Sequence, residues 1–539
     1  MSKTSGVYCV EICNQSFTLK HTEAFEVKKS IHRQLENRKR RIQRRLDRKN
    51  ILVETFRPVF SSAGIKYEVA ERSRGIAAGG MGAMQLLAEH VHLAENINLG
   101  VHVLKRHLPY HESDHVLNIA LNLLAGGTCL EHIELRRNDE TFLDALNVAS
   151  IPDPTTAGDF CRRFDEADIH ALMEAINESR LTVWKQQPDE FFEEALIDGD
   201  GTIVETTGEC KQGMDISYNG KWGYHPLLIS LANTGELLYL SNRSGNRPSH
   251  EGAAAYFDRA RALCRRAGFR KITLRGDTDF TQTKELDRWD EEGTGFLFGA
   301  NNTLSVRLEA ELLENKVWER LERKPKYTVK TKPRRRPENV KEKIVILRHF
   351  ANIRLKSEDV AEFTYTPTAC KKTYRMIVVR KNLSVASGER VLFPNVRYFF
   401  YLTNDWETPA EQLVLKANGR CNQENSVIEQ HKNDVRSLRA PLDTLQSNWT
   451  YMVIASLAAS LKIWSALLLP ETGRWKQKHQ REKQAVLTMD FSTFRNAFVQ
   501  LPCQIVKTGR RLVYRLLSWN PWQHVFFRLV EHLQGRLLC

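Results

Sequence analysis

The sequence predicts a multidomain α/β protein, a mixed β-sheet core flanked by helical regions and interrupted by a second β-rich stretch. Three observations lead there. Strand-like and helix-like segments alternate between residues 194 and 300. The preceding region, Gly80 to Lys185, has helical periodicity throughout. Strand signals return from Asn301 to Asn404 before helices resume near Glu411. A chain of 539 residues has room for three or four structural units. Its 42% hydrophobic content permits a sizeable core and excludes global disorder.

The formal net charge of +14 and a pI near 9.2 favour a polyanionic partner, and clustering of that charge favours nucleic acid over a membrane surface. Lys28 to Lys49 holds eleven Lys/Arg against two acidic residues, with Ile31, Leu35, Ile42 and Leu46 at helical spacing. This predicts a basic helix whose Arg40, Arg41, Arg44 and Arg45 contact phosphates, the alternative being a solvated arm. The ten cysteines form no CxxC pair, and the first residues lack a signal peptide's pattern, so a reduced, cytoplasmic protein is expected. Tyr451 to Leu469 is long enough to span a bilayer, but Lys462 and its Ala/Ser content predict a buried core helix.

In the helical region, Gly126-Gly127 stops one helix, and IPDPTTAGDFCRRF starts another, with Thr156 and Asp159 spaced as a capping box. Arg162 and Arg163 on that helix suit a helix-turn-helix-like DNA-binding unit, although plain helical packing gives the same pattern. After Pro188, EEALIDGDGTIVETT, HPLLISLAN and ELLYLSNRS read as three strands. A helix ending at Gly268, a fourth strand KITLRGDTDF, a short helix and a fifth strand GFLFGANN follow. EKIVILRHF, TYRMIVVRK and VRYFFYLTN read as further strands, and the tail from Thr488 as basic and helical.

The chemistry-bearing residues stand out on the strands. Alternation puts Asp198 and Asp200 on one face, while Gly199 and Gly201 leave the other face bare. Asp277 and Asp279 repeat the arrangement at the end of an apolar strand. Carboxylates at strand ends are where open α/β sheets build sites. Acids brought together from two strands repel unless a divalent cation lies between them, and oxygen ligands select Mg²⁺ or Mn²⁺.

With these residues the chain resembles the DDE transposases of bacterial insertion sequences, over roughly Gly79 to Leu469. Asp200-Gly201-Thr202 matches the family's first acid, Arg275-Gly276-Asp277 the second, and Arg420-x-x-x-Glu424 the helix that carries the third. Ala417 stands where the family has Tyr, His431 where it has Lys, with Lys432 next, and Thr278-Asp279 where it has Ser-Gly. YNGKWGYHPLL and CNQENSVIEQHK are most similar to the thirteen-eighty family of insertion sequences.

The resemblance implies an RNase H-like core holding two Mg²⁺, Mn²⁺ substituting, on Asp200, Asp277 and Glu424, and a β-rich insertion domain within the 147 positions between Asp277 and Glu424. It implies Arg420 as a phosphate-holding or orienting residue, and DNA contact by Arg334, Arg335 and Arg336. Lys221, in the aromatic YNGKWGYH segment, is a further DNA candidate, with a turn packed on the sheet as the alternative. Trp318 and Trp406 are candidates for base stacking or core packing.

The expected layout is a basic arm (1–70), a helical DNA-binding region (71–190), a first core segment (191–300), the insertion (301–405), a second core segment (406–475) and a basic helical region (476–539). Double-stranded DNA with terminal inverted repeats, target DNA and a second copy of the chain are the expected partners, in a bacterial nucleoid. The competing readings are an RNase H-like nuclease and a catalytically dead DNA-binding derivative; a glycoside hydrolase fits the charge poorly.

Overall fold

The computed structural model describes residues 32–44, 74–105, 109–323, 340–387, 390–420, 427–508 and 511–535. Residues 32–44 are helical, with Arg40, Arg41 and Arg44 exposed on that helix. Arg45 and Arg334 to Arg336 lie outside the described residues.

The helical region contains α1 (Met81–His90), α2 (Leu93–Gly100), α3 (Glu112–Leu124), α4 (Pro154–Cys161) and α5 (Glu166–Trp184). His92 in the left-handed region (φ 54°) breaks α1 from α2, and Gly126 (φ 96°) follows the end of α3. The N-cap of α4 is Asp153, one turn earlier than the Thr156–Asp159 pairing predicts: its carboxylate accepts from Thr156 N at 2.9 Å. Pro154 is the reason, since its fixed φ and missing N–H suit the first helical position and place the cap before it.

The sheet comprises β1 (Glu194–Gly201), β2 (Leu227–Leu231), β3 (Glu236–Ser241), β4 (Lys271–Gly276), β5 (Gly295–Ala300), β6 (Glu319–Arg320), β7 (Ala351–Tyr365), β8 (Tyr374–Ser387) and β9 (Arg390–Thr403). These nine strands run in the order β6-β7-β8-β9-β5-β4-β1-β2-β3. β1, β4 and β5 are parallel, and β2 is antiparallel to β1. The long strands β7 to β9 continue the same sheet, because β9 pairs antiparallel with the edge of β5, Phe400 opposite Ala300. Helix α6 (Ala253–Ala267) links β3 to β4, and α7 (Ala410–Asn418) follows β9.

Two segments differ from their sequence-based expectation. Val340–Leu347, read as a strand from EKIVILRHF, is a helix, and the strand starts only at Ala351. A short apolar run such as Ile344-Val345-Ile346-Leu347 fits either period, so β-branching alone misleads. The tail is not wholly helical: Cys503–Thr508 and Arg511–Leu516 pair as antiparallel strands, and Gly75–Ile76 adds a third strand. Ile505 and Tyr514, directly opposed across the strands, and Cys503 opposite Leu516 face the core on one side of the hairpin, which locks the tail onto the start of the helical region.

The apolar segment predicted as core is helix α8 (Leu445–Leu467). It is the one described helix long and apolar enough to cross a membrane, and 94% of its apolar window is buried inside the protein. It lies against α3, α5 and β3, and the apolar core runs continuously from Ile76 to Leu533. At its centre Glu236, fully buried, accepts from Arg180 Nε (3.0 Å), Trp184 Nε1 (2.9 Å), Trp464 Nε1 (2.9 Å) and Thr234 Oγ1 (2.8 Å). One carboxylate thus ties α5 and α8 to the edge of the sheet. Glu236→Ala leaves Arg180 as an uncompensated buried cation and is expected to cost about 3–5 kcal/mol, read as a lower urea midpoint with unchanged slope.

Candidate active site

The site forms at the carboxyl end of β1 and β4. Parallel pairing sets Asp198 opposite Arg275, so two residues further on Asp200 and Asp277 leave neighbouring strands at the same level. The bare second face has a definite cause. A Cβ on Gly199 would come within 2.5 Å of the Phe257 ring, which packs from α6. A Cβ on Gly201 would meet His225 Nε2 at 2.8 Å. Only glycine lets that helix and that imidazole approach the strand carrying the acids.

The acid face carries the charges. Asp198, 1% exposed, is held by Arg275 through Nε–Oδ1 (2.6 Å) and Nη2–Oδ2 (2.8 Å). Arg275 Nη1 also donates to the Lys416 carbonyl (2.6 Å), near the end of α7, while Lys416 Nζ pairs with Glu194 on β1 (2.7 Å). These bonds dock α7 on the sheet and deliver Arg420, just beyond it, to Asp200: Nη1–Oδ2 is 3.0 Å. Asp198 is therefore a buried anchor for Arg275 and, through it, for α7. Asp279 is exposed, and its backbone N–H donates to Asp277 Oδ1 (2.9 Å), so it caps the acid with which it shares a face.

Burial pushes the Asp277 carboxyl above the usual carboxylate range, opposed by the Arg420 charge and by the backbone N–H of Asp279. Lys432 is held below the usual lysine range by burial and by the like charges of Lys221 and Arg439, while Asp200 pulls the other way. Arg420 is thus the cation in direct contact with the acids, through Asp200. Residues 430–434 form a π-helical turn in which His431 is buried, its Nδ1 2.7 Å from Ser437 Oγ, while Lys432 is half-buried.

Glu424 lies outside the described residues. Among the described residues no group of three or more His, Cys, Asp and Glu side chains is placed to hold a metal ion. The two aspartates fit part of such a role: oxygen donors at one level on adjacent strands, partly desolvated, are costly as anions without added positive charge.

The remaining sequence candidates lie further out. Arg162 is engaged by Asp443 (2.8 Å) and Asp159 (2.8 Å), so its charge is already matched, whereas Arg163 is exposed. Lys221 pairs with Glu205 at 2.7 Å. Trp318 is half-buried beneath Arg380, 4.1 Å from its ring centre, and Trp406 is about half exposed. Sequence reasoning missed the anchoring pair Arg275–Asp198 and the carbonyl clamp of Lys211, whose Nζ donates to Ala440 and Leu442 at 2.6 Å each. The R-x-D spacing was the available signal for the first; nothing in the sequence marks the second.

His431 and His115 are both depressed by burial to about 4 from the usual 6.5. They stay neutral in the folded protein while unfolded chains take up protons, so stability falls as pH drops from 6.5 toward 4 and then levels. Each contributes up to about 3 kcal/mol of that loss. Urea midpoints at pH 7 and pH 5 measure it, and His431→Gln is expected to flatten the dependence.

Paired aspartates at the ends of adjacent parallel strands, in a chain of charge +14, fit an enzyme that acts on DNA. The family described as transposase DDE domain group 1 matches residues 75–537, and the chain belongs to it: it is a DDE transposase. No curated protein matches the chain. Among solved structures it is similar to the cryo-EM piggyBac transposase synaptic complex with hairpin DNA, at 10% identity and a TM-score of 0.33, covering 87% of this chain and 88% of that one.

Proposed function

We propose that the protein cleaves the ends of an insertion sequence of the thirteen-eighty type and joins the freed 3′-hydroxyl to target DNA, with Asp200, Asp277 and Glu424 as its catalytic carboxylates. The observation that carries this reading is the shared level of Asp200 and Asp277 on parallel β1 and β4, with Arg420 against Asp200. The strand order β3-β2-β1-β4-β5 with β2 reversed against β1 supports an RNase H-like core, and β6 to β9, entering between β5 and α7, support an insertion within it.

The three carboxylates would hold Mg²⁺ or Mn²⁺, two ions per site, which when bound supply Lewis-acid stabilisation of the attacking and leaving oxygens. The chain's own residues orient the substrate. Arg420 and Lys432 place positive charge beside the acids where a phosphodiester must lie, and Lys221 extends it outward. In the first step water adds to phosphorus, the bond to the 3′-oxygen breaks, and that oxygen takes a proton. In the second the 3′-hydroxyl adds to a target phosphorus, loses its proton, and the target's own 3′-oxygen leaves protonated. One phosphodiester replaces another, so joining needs no energy source. Terminal inverted repeats, a homodimer on paired ends and a bacterial nucleoid setting complete the reading.

The test is incubation of a labelled duplex bearing the terminal repeat that flanks the gene, with Mg²⁺ and a target plasmid. Nicked and joined products are expected. Nicking without joining would leave the RNase H-like nuclease, and binding without nicking the catalytically dead DNA-binding protein.

A further inference from the structure

Directly after the acid-bearing strand the chain forms a small three-stranded sheet of Val204–Glu205, Asp215–Ile216 and Trp222–Tyr224. Its inner side is fixed. Tyr224 is fully buried and donates its hydroxyl to the Gln212 carbonyl (2.7 Å), and His225 is buried with Nδ1 2.8 Å from the Arg247 carbonyl. Gly245 packs so closely that a Cβ there would lie 2.4 Å from the Asp215 carbonyl. The turn at Ser217 to Lys221 closes on itself, Ser217 Oγ donating to the Lys221 carbonyl (2.7 Å) around Gly220 (φ 78°).

The outer side of this rigid hairpin is apolar and uncovered. Ile216 and Trp222 are directly opposed across the strands, so their side chains share a face, and they are 46% and 53% exposed. Tyr218 at the turn is 86% exposed. Packing does not use these rings, and a solvated surface seldom spends two aromatics and an isoleucine on water. The surroundings say what covers them. The strand of Trp222 runs directly into His225, whose imidazole lies against Gly201 next to Asp200, so the hairpin adjoins the acid-bearing strand, and it carries the cation Lys221.

We propose that this hairpin is a base-stacking platform: Trp222, with Tyr218 beside it, receives an unpaired base of the DNA strand next to the bond being cut, and Lys221 exchanges its Glu205 partner for the adjoining phosphate. A flat aromatic face with a flanking cation is the chemistry that single-stranded DNA requires, and stacking there opens the duplex at the reacting phosphate. The platform determines where the strand is presented to Asp200 and Asp277. It rests on the cleavage reading above, but its test does not need cleavage.

The experiment places 2-aminopurine, one position at a time, at the bases flanking the cut in the terminal-repeat duplex, and follows its fluorescence on binding without divalent metal. One or two adjacent positions are expected to change with the wild type and with Trp222→Phe, and none with Trp222→Ala. With Mg²⁺, cleavage by Trp222→Ala is expected to fall about ten- to a hundredfold, and to recover on a duplex whose base is already mismatched at the responding position. The thermal melt should not move, since the ring is half in water. A wild type that responds but does not cut upholds the platform while the cleavage reading fails. A wild type that cuts with no responding position, or a Trp222→Ala variant that responds and cuts normally, overturns the platform and leaves the cleavage reading standing.

Discussion

Asp200→Ala and Asp277→Ala each reduce end cleavage and joining at least about a thousandfold while binding of the terminal-repeat duplex stays within a few-fold. The two acids occupy the same level of adjacent parallel strands: Asp277 is half-buried, and Asp200 is buried against Arg420. Removing either takes away oxygen donors that the reaction needs and leaves the surrounding cations to hold DNA. Asp200→Asn, which keeps the shape beside Arg420, should lose activity equally, so that a stable, DNA-binding, inactive protein is the signature. Gel-shift titration with the labelled duplex, run beside the cleavage assay, reads both properties. Normal cutting by either alanine variant sinks the assignment.

Asp198→Ala fails for a different reason. Its carboxylate is 1% exposed and takes two bonds from Arg275, which is itself buried and donates onward to the carbonyl of Lys416. Removing the acid leaves a guanidinium without its counter-charge in the core, expected to cost about 3–5 kcal/mol. The urea midpoint should drop with unchanged slope, and activity should fall because α7 and Arg420 lose their seat. The double variant Asp198→Ala/Arg275→Met removes the stranded charge and should regain much of the stability but not the activity, since Arg420 is still unanchored. A single variant as stable as the wild type would show that the pair contributes nothing.

Much of the fold was legible. The five strands from Glu194 to Ala300, the helix ending at Gly268 and the buried nature of Leu445–Leu467 all followed from periodicity and from glycine. Long, strongly patterned segments declare themselves because local period and tertiary burial ask for the same residues. Val340–Leu347 did not, because a short β-branched run satisfies helix and strand alike. The tail hairpin did not either, because its pairing with Gly75–Ile76 joins segments more than four hundred residues apart.

For the candidate site, the sequence by itself placed aspartates on their strands, Asp200 in D-G-T and Asp277 in R-x-D, with glycines on the opposite face to admit α6 and His225. Only the tertiary structure gives Asp198 and Asp200, which share a face and a residue type, different partners. Both are buried, but one pairs with Arg275 on the neighbouring strand and the other with Arg420 beyond α7, and those partners are a property of the assembled sheet. It decided as well that His431 is buried against Ser437, within a π-turn that no spacing in the chain announces. Residue type states what a side chain can do; the packing of distant strands and helices sets which copy of it meets water, metal or DNA.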